Sequence, residues 1–425
     1  MPNTTQFMQF VEDHINSKIV YLLLFFTAFP YITFLISPTP ASYLQPFFII
    51  TALLLLCLNV KKIPLHINKD EYLCFLLPFI GAIYIFISLL LKHRLQYSST
   101  AYISPLIFIT LIPTYRLALQ ILGVKKLTQV FIYTVFTYCI VGLIQVFIDP
   151  SFLAYLVGGN KTGILPSSIK DGGIRGVIGL TSEPTYYASY ILGLATALSA
   201  TLNSRRTLII SAVALLQIIF IAKSSTVIAI LFCAGVLYTI LYRQRISSLL
   251  ALISLFLLAF LISDYFMPST LRANLLAHEL VSLNFRYLID VDESSSIRIT
   301  HAILPFVYAL KNYMLPEVFF DLTWVQYLKS FDLPWFKNLQ EGSRIINGYG
   351  EILIIYGFFV LPLVWSIVKT LLKNQGREFP QAYLGVCIFL LLFTSFSFST
   401  PIVAMCYVLY RTDINAIQSN NISEN

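Results

Sequence analysis

Charge is the first thing this chain lacks. Of 425 residues only 11% are Asp, Glu, Lys or Arg, while 57% are hydrophobic. Soluble domains carry about 25% charge on about 45–50% apolar residues, so a water-soluble globular protein is excluded. Disordered and heptad-repeat chains need charge that is missing here. Cysteine and histidine are also sparse, at six and five. No CxxC pair occurs, and Cys57, Cys74, Cys139, Cys233, Cys387 and Cys406 all lie in or beside apolar runs. His14, His66, His93, His278 and His301 show no metal-ligand spacing. Disulfides, a resident metal and a cofactor are therefore not expected.

What is present is long apolar sequence. Runs near 19–37, 42–60, 72–91, 101–115, 127–148, 184–202, 207–222, 225–241, 247–267 and 348–368 suit membrane spans of about 20 residues. A last stretch, 381–410, is too long for one span, and Phe396-Ser-Phe-Ser-Thr-Pro401 divides it. The expectation is an all-α polytopic membrane protein of about 12 helices. Its parts are helices 1–5 (1–148), a first long outer loop (149–183), helices 6–9 (184–267), a large outer loop (268–346), and helices 10–12 with the C-terminal tail (347–425).

Lys and Arg test the topology through their bias to the cytoplasmic side. With the N-terminus inside, the inner segments hold fifteen, among them Arg116, Lys125, Lys126, Arg205, Arg206 and Arg411. The short outer loops hold three, Lys92, Arg94 and Lys223, and the two long ones hold ten. Long loops cross largely regardless of charge, so fifteen against three decides, and both termini are expected in the cytoplasm. This bias, with anionic lipid contact, accounts for the basic balance without nucleic acid. The first span lacks a small-residue cleavage site and is expected to act as signal and anchor together.

The remaining polar chemistry gathers on the outer side. In the large loop, residues 271–289 place Leu276, Leu280, Leu283 and Tyr287 on one helical face, with Arg272, Glu279 and Arg286 opposite. This predicts an amphipathic lid helix rather than a catalytic one. Trp324 and Trp335 suit anchoring or packing better than sugar stacking. The sharpest segment is Arg175-Gly-Val-Ile-Gly-Leu-Thr-Ser-Glu-Pro184, which runs into the sixth span. Thr181 or Ser182 can cap that helix, Pro184 fits its first turn, and Glu183 is favoured at the positive helix end. Capping does not account for Arg175, whose Gly-lined approach suits a phosphate ligand. Arg298 follows Glu293-Ser-Ser-Ser-Ile, with His301 one turn later. Arg344 lies in Gly-Ser-Arg-Ile-Ile-Asn-Gly-Tyr-Gly-Glu351. Glu351 at the membrane edge is costly and therefore a functional candidate, snorkelling being the plainer alternative. Lys223 sits in a tight outer turn, either as a simple loop charge or as a ligand.

Arginines at one membrane boundary suit a pyrophosphate-linked lipid substrate, whose departing charge they stabilise while a carboxylate or His takes a proton. Here the chain resembles a family. Arg175–Pro184 followed by Thr-Tyr-Tyr-Ala, the turn Lys223-Ser-Ser-Thr226, Ser294-Ser-Ser-Ile-Arg298 and Asn347-Gly-Tyr-Gly-Glu-Ile-Leu-Ile-Ile-Tyr-Gly357 are similar to segments of the Wzy-type O-antigen and capsular polysaccharide polymerases, in the same order along nearly the whole chain. The resemblance implies a metal-independent inner-membrane glycosyltransferase working on the periplasmic face. It would transfer a growing glycan from undecaprenyl pyrophosphate to a new lipid-linked repeat unit. Carried over by position, Arg175, Arg298 and Arg344 would hold pyrophosphate or glycan, and Glu183 would activate the acceptor. Lys223, His301 and Glu351 complete the set of candidate binding residues. A chain-length regulator and a flippase are the implied pathway partners.

Three alternatives remain open at this level. O-antigen ligases share the plan but usually carry a His where this chain has Asn347, which favours polymerase. A flippase or transporter would show internal repeats with polar residues at mid-membrane, and neither is seen. A dolichyl- or arabinosyl-type transferase needs an acidic loop after the first span, whereas Ser37–Ala41 is uncharged.

Overall fold

The structure, a computed structural model, describes residues 4–33, 44–61, 71–91, 100–157, 176–243, 282, 293–331, 333–337, 345, 347–372, 379–394 and 396–412. The span expected at 247–267, the amphipathic helix at 271–289, Arg175, Arg344 and Ser37–Ala41 lie outside these residues.

The described chain is helical, its one β contact being an isolated bridge between Ile32 and Val157. In chain order the helices are α1 (Thr4–Ala28), α2 (Phe47–Leu58), α3 (Tyr72–Leu91), a run Ser104–Phe147 whose two arms are α4 (104–122) and α5 (124–147), α6 (Pro184–Ser199), α7 (Ser204–Leu216), α8 (Ser225–Tyr238), α9 (Glu293–Lys311), α10 (Phe320–Lys329), α11 (Pro334–Lys337), α12 (Gly348–Tyr356), α13 (Leu361–Leu372), α14 (Gln381–Leu391) and α15 (Pro401–Arg411). Among the described residues, five stretches are long and apolar enough to cross a membrane: Tyr72–Leu91, Ala101–Phe147, Ser204–Ala222, Ser225–Tyr242 and Gly348–Leu372. Helices α2, α14 and α15 are apolar but shorter.

Two boundaries differ from the sequence expectation. Helix α1 begins at Thr4, well before the apolar run, and stops at Ala28 rather than near 37. Polar residues such as Glu12 and Asp13 extend it outside the core because helix needs only compatible residues, not apolar ones. The second difference concerns 116–126, expected as a loop. Here the helix continues to Gly123, whose φ of 72° breaks it, and resumes at once. The two arms still reverse. Uninterrupted helix would hold Tyr115 and Tyr138 about 34 Å apart. Instead the Tyr115 hydroxyl pairs with Thr27 Oγ1 at 2.7 Å, and Tyr138 donates to the Ala28 carbonyl at 3.1 Å. Lacking a Cβ, glycine turns the chain at no steric cost.

The core is rich in tyrosine, and each hydroxyl there needs a partner. Tyr190 donates to the Thr27 carbonyl, and Tyr187 donates to the Tyr138 carbonyl at 3.0 Å. These hydroxyls tie α1, α4, α5 and α6 into one body. Helices α6 and α15 run parallel: Cys406 Sγ bonds the Gly193 carbonyl at 3.5 Å, and the Ser199 and Tyr410 hydroxyls pair at 2.7 Å. The bundle therefore has two distinguishable ends. One carries the N-termini of α6 and α15. The other carries their C-termini.

At the second end the structure places a buried charge cluster that sequence reasoning missed. Glu71, fully buried, is held bidentately by Arg116 through two contacts of 2.6 Å. Arg411 Nε lies 2.9 Å from the same carboxylate, and the Tyr407 hydroxyl donates to it at 3.0 Å. Arg411 also reaches Ser366 at 3.1 Å. Arg116 and Arg411 entered the sequence reading only as inner-side charges, and the structure gives them a further role. Both are mostly buried and join α3, α4, α13 and α15 through one carboxylate. Two cations on one acid satisfy most of its lone pairs, which is the condition for burying such charges at all.

Candidate functional site

The first end gathers the sequence candidates. It is built from the chain entering α6, the α7–α8 turn, the first turns of α9, and the start of α12. Val177 N–H donates to the Ile221 carbonyl at 3.1 Å, which lays the approach strand beside the α7–α8 turn. Gly176 is the contact point. A Cβ there would lie 2.0 Å from the Ala222 carbonyl oxygen, so no other residue fits. The sequence reading assigned this glycine-lined approach to a ligand; at Gly176 the close neighbour is instead backbone of the next hairpin. Arg175 precedes Gly176 in the chain and lies outside the described residues.

Beneath the approach, Gln145 of α5 acts as a clamp. Its amide accepts from Gly179 N–H at 2.8 Å and donates to the carbonyls of Gly179 and Phe152 at 2.9 and 2.8 Å. The side chain is fully buried. An amide inside an apolar run was the available sequence signal, because buried polar groups among spans are costly unless paired. The approach thus rests on fixed hydrogen bonds rather than on a free loop.

The helix start differs from expectation in an informative way. Neither Thr181 nor Ser182 caps α6. The Thr181 hydroxyl donates to the carbonyls of Ile178 and Glu183 at 2.8 and 2.9 Å instead. Pro184 occupies the first helical position, as expected, and forces its predecessor into extended backbone. Glu183 is that predecessor. It takes the N-cap position at φ −150°, ψ 154°, and its side chain makes no capping bond. Its carboxylate is exposed at the positive end of a 16-residue helix.

Arg298 of α9 comes to the same place. Its Nη2 lies 3.4 Å from Thr185 Oγ1, in the first turn of α6. The structure therefore brings Glu183 and Arg298 to one helix end, with Thr185 a contact that sequence reasoning did not single out. Lys223 sits on the α7–α8 turn beside the approach strand, exposed and left-handed at φ 47°. Ser224 caps α8 behind it, accepting from Val227 N–H at 3.5 Å. Two helix N-termini, α6 and α8, thus flank the approach and favour an anion between them.

The third element is α12. Asn347 caps it, accepting from Gly350 N–H at 2.9 Å. Its side-chain amide donates to the carbonyls of His301 and Ala302 at 3.1 and 3.2 Å. Asn347 is fully buried and fastens α9 to α12. Asn347 is a strut here. Glu351, one turn into α12, is buried at 2% exposure rather than lying at an aqueous edge. His301 is also buried, edge-on to Trp324 with ring centroids 5.5 Å apart and 6.4 Å from Phe336. Burial lowers its pKa from 6.5 to about 4, so it stays neutral at pH 7. Trp324 is fully buried against Tyr308 and Tyr327, a packing role in line with the sequence reading.

The sequence candidates therefore fall into three groups. Glu183 and Lys223 are exposed and Arg298 is half-buried, all on the face where the approach strand meets α6. His301 and Glu351 lie in the packed base beneath α9 and α12. Arg175 and Arg344 lie outside the described residues. Compared with known proteins, the chain matches no family model and no curated sequence.

Proposed function

We propose that this chain is a polysaccharide polymerase of the bacterial inner membrane, transferring a growing glycan from undecaprenyl pyrophosphate to a new lipid-linked repeat unit on the periplasmic face. In this reading the 12-helix plan, the inward termini and the two outer loops are as the Lys/Arg bias places them. The observation that carries it is the Glu183–Arg298 pairing of roles: an exposed carboxylate not spent on capping, at a helix N-terminus that a guanidinium also reaches. Acceptor activation and pyrophosphate stabilisation need these two groups on one face.

The step balances as a group transfer. The acceptor hydroxyl attacks the anomeric carbon of the donor's reducing-end sugar. The bond from that carbon to the pyrophosphate oxygen breaks as the new glycosidic bond forms. Glu183 takes the hydroxyl proton, and undecaprenyl pyrophosphate leaves with the electron pair. Arg298, with Arg175 and Arg344 by resemblance, stabilises the departing charge, and Lys223 adds positive charge at the α8 N-terminus. No metal or nucleotide sugar is required.

The test is a glycan gel from a polymerase-null host carrying the Arg298→Ala chain, with membrane levels checked in parallel. The expected pattern is one repeat unit on the final carrier and no ladder. A full ladder from Arg298→Ala removes this site assignment. Complete loss of attached sugar when this gene is deleted points to a ligase instead.

A further inference from the structure

The second end of the bundle carries a separate opening. A cavity of about 880 Å³ lies between α5 and α7, with Gly123 among its lining residues. Farther along, the π-helical turn Gln217–Ala222 that continues α7 packs on α5, where a Cβ on Gly142 would lie 2.7 Å from Ile221 Cγ2. Toward the second end, where α5 starts after Gly123 and α7 starts at Ser204, the cavity separates them. The wall between them is apolar, including Leu122, Ile132 and Ile210. Lys125, Lys126 and Arg206, all exposed, are among its lining residues, and among the described residues no acidic side chain lines it. Arg206 lies in the first turn of α7, whose positive end adds to the field there.

The flanks of the opening face outward and are apolar. Tyr133 and Phe136 on α5, and Leu208 and Ile209 on α7, are exposed large hydrophobic residues, as expected of a surface in contact with lipid chains. The cavity is therefore continuous with a lipid-facing surface along its wall and cationic in part of its lining. This is the complement of one molecule type, an acyl chain joined to an anionic headgroup.

We propose that the α5–α7 cleft binds an anionic glycerophospholipid of the surrounding bilayer, with an acyl chain along Ile132 and Ile209 and its phosphate at Lys125, Lys126 and Arg206. Cationic pockets between spanning helices recognise such headgroups by charge. Free inorganic phosphate would leave the apolar wall unfilled, and a neutral lipid would leave three cations without counter-charge. The site lies at the opposite end of the bundle from Glu183, so it does not depend on the reading of that face.

The experiment uses the full chain purified in a neutral detergent. Native mass spectrometry compares retention of phosphatidylglycerol and phosphatidylcholine over a titration. Phosphatidylglycerol should be held on the order of a hundredfold more tightly, with about fivefold lost for each of the three cations removed. Lys125→Gln/Lys126→Gln/Arg206→Gln should lower it to the phosphatidylcholine level. Ile209→Trp, at an exposed wall position that leaves the cations in place, should block retention of both lipids and covers the case in which the triple variant does not fold. Undiminished phosphatidylglycerol preference in the triple variant, or undiminished phosphatidylglycerol retention in Ile209→Trp, overturns the proposal. So does displacement of the lipid by millimolar inorganic phosphate, which would mark a headgroup-only anion site.

Discussion

The two ends of the bundle treat charge in opposite ways. At one end Glu71, Arg116 and Arg411 are turned inward and consume one another, with Tyr407 and Ser366 completing the hydrogen bonds. At the other, Glu183 and Lys223 face outward, and Arg298 is only half-buried. The difference separates charge paired inside the bundle from charge presented at its surface. A buried ion cluster contributes geometry and tolerates no vacancy. An exposed carboxylate at a helix start contributes little to stability and remains available to a substrate.

The strongest way to break this contrast is to vacate the buried cluster. Glu71→Ala leaves two cations against each other inside the bundle and should cost about 3–5 kcal/mol, read as loss of folded protein in detergent thermal scans. Glu183→Gln should show the reverse profile. On the proposed function, polymer formation should fall by about 10²- to 10⁴-fold, while thermal stability stays within about 0.5 kcal/mol of the parent. A stability loss there equal to that of Glu71→Ala would erase the distinction between the ends.

His301 offers a pH test of the packed base under the site. Its pKa lies near 4 in the folded chain against 6.5 in the unfolded one. The unfolded state therefore binds the proton first. Stability is fully present above about pH 6.5 and is lost as pH falls toward about 4, by up to about 3 kcal/mol. His301→Phe should flatten that dependence with activity retained, because the ring packs rather than reacts. Loss of activity at neutral pH with the protein folded would instead place His301 in the chemistry.

Asn347→Ala should come next, at about 1–3 kcal/mol, because it leaves the first turn of α12 uncapped and the His301 and Ala302 carbonyls without its amide. The smallest expected effect is at the α7–α8 turn. Lys223→Gly relieves a left-handed side chain and should stabilise by up to about 1 kcal/mol, while polymer yield drops a few fold, on the order of one exposed charge contact. A rise in yield would show that Lys223 is only a turn residue.

Part of this was legible in residue type and order. Proline at position 184 dictated both the start of α6 and the extended backbone of Glu183. The division of 381–410 into two helices followed from the Ser/Thr/Pro cluster at 396–401, and α14 and α15 flank it. Other features required contacts that no local pattern encodes. Gln145 and Gly179 lie 34 positions apart, and Tyr407 and Glu71 are separated by 336. Asn347 entered the sequence reading only as the residue standing where O-antigen ligases carry His, and its structural role was hidden because it depends on carbonyls of α9.

The sequence by itself determined the helical membrane class, because sparse charge and runs of about 20 apolar residues leave a spanning helix as the one local structure that satisfies its own backbone in lipid. It also determined where α6 begins, through Pro184, since proline acts on the backbone of its own segment. Only the tertiary structure decided which charges are spent and which remain. Whether an arginine is a loop charge, a buried partner of Glu71 or a neighbour of Thr185 depends on which distant helix it meets, and burial and Coulomb energy are properties of that meeting.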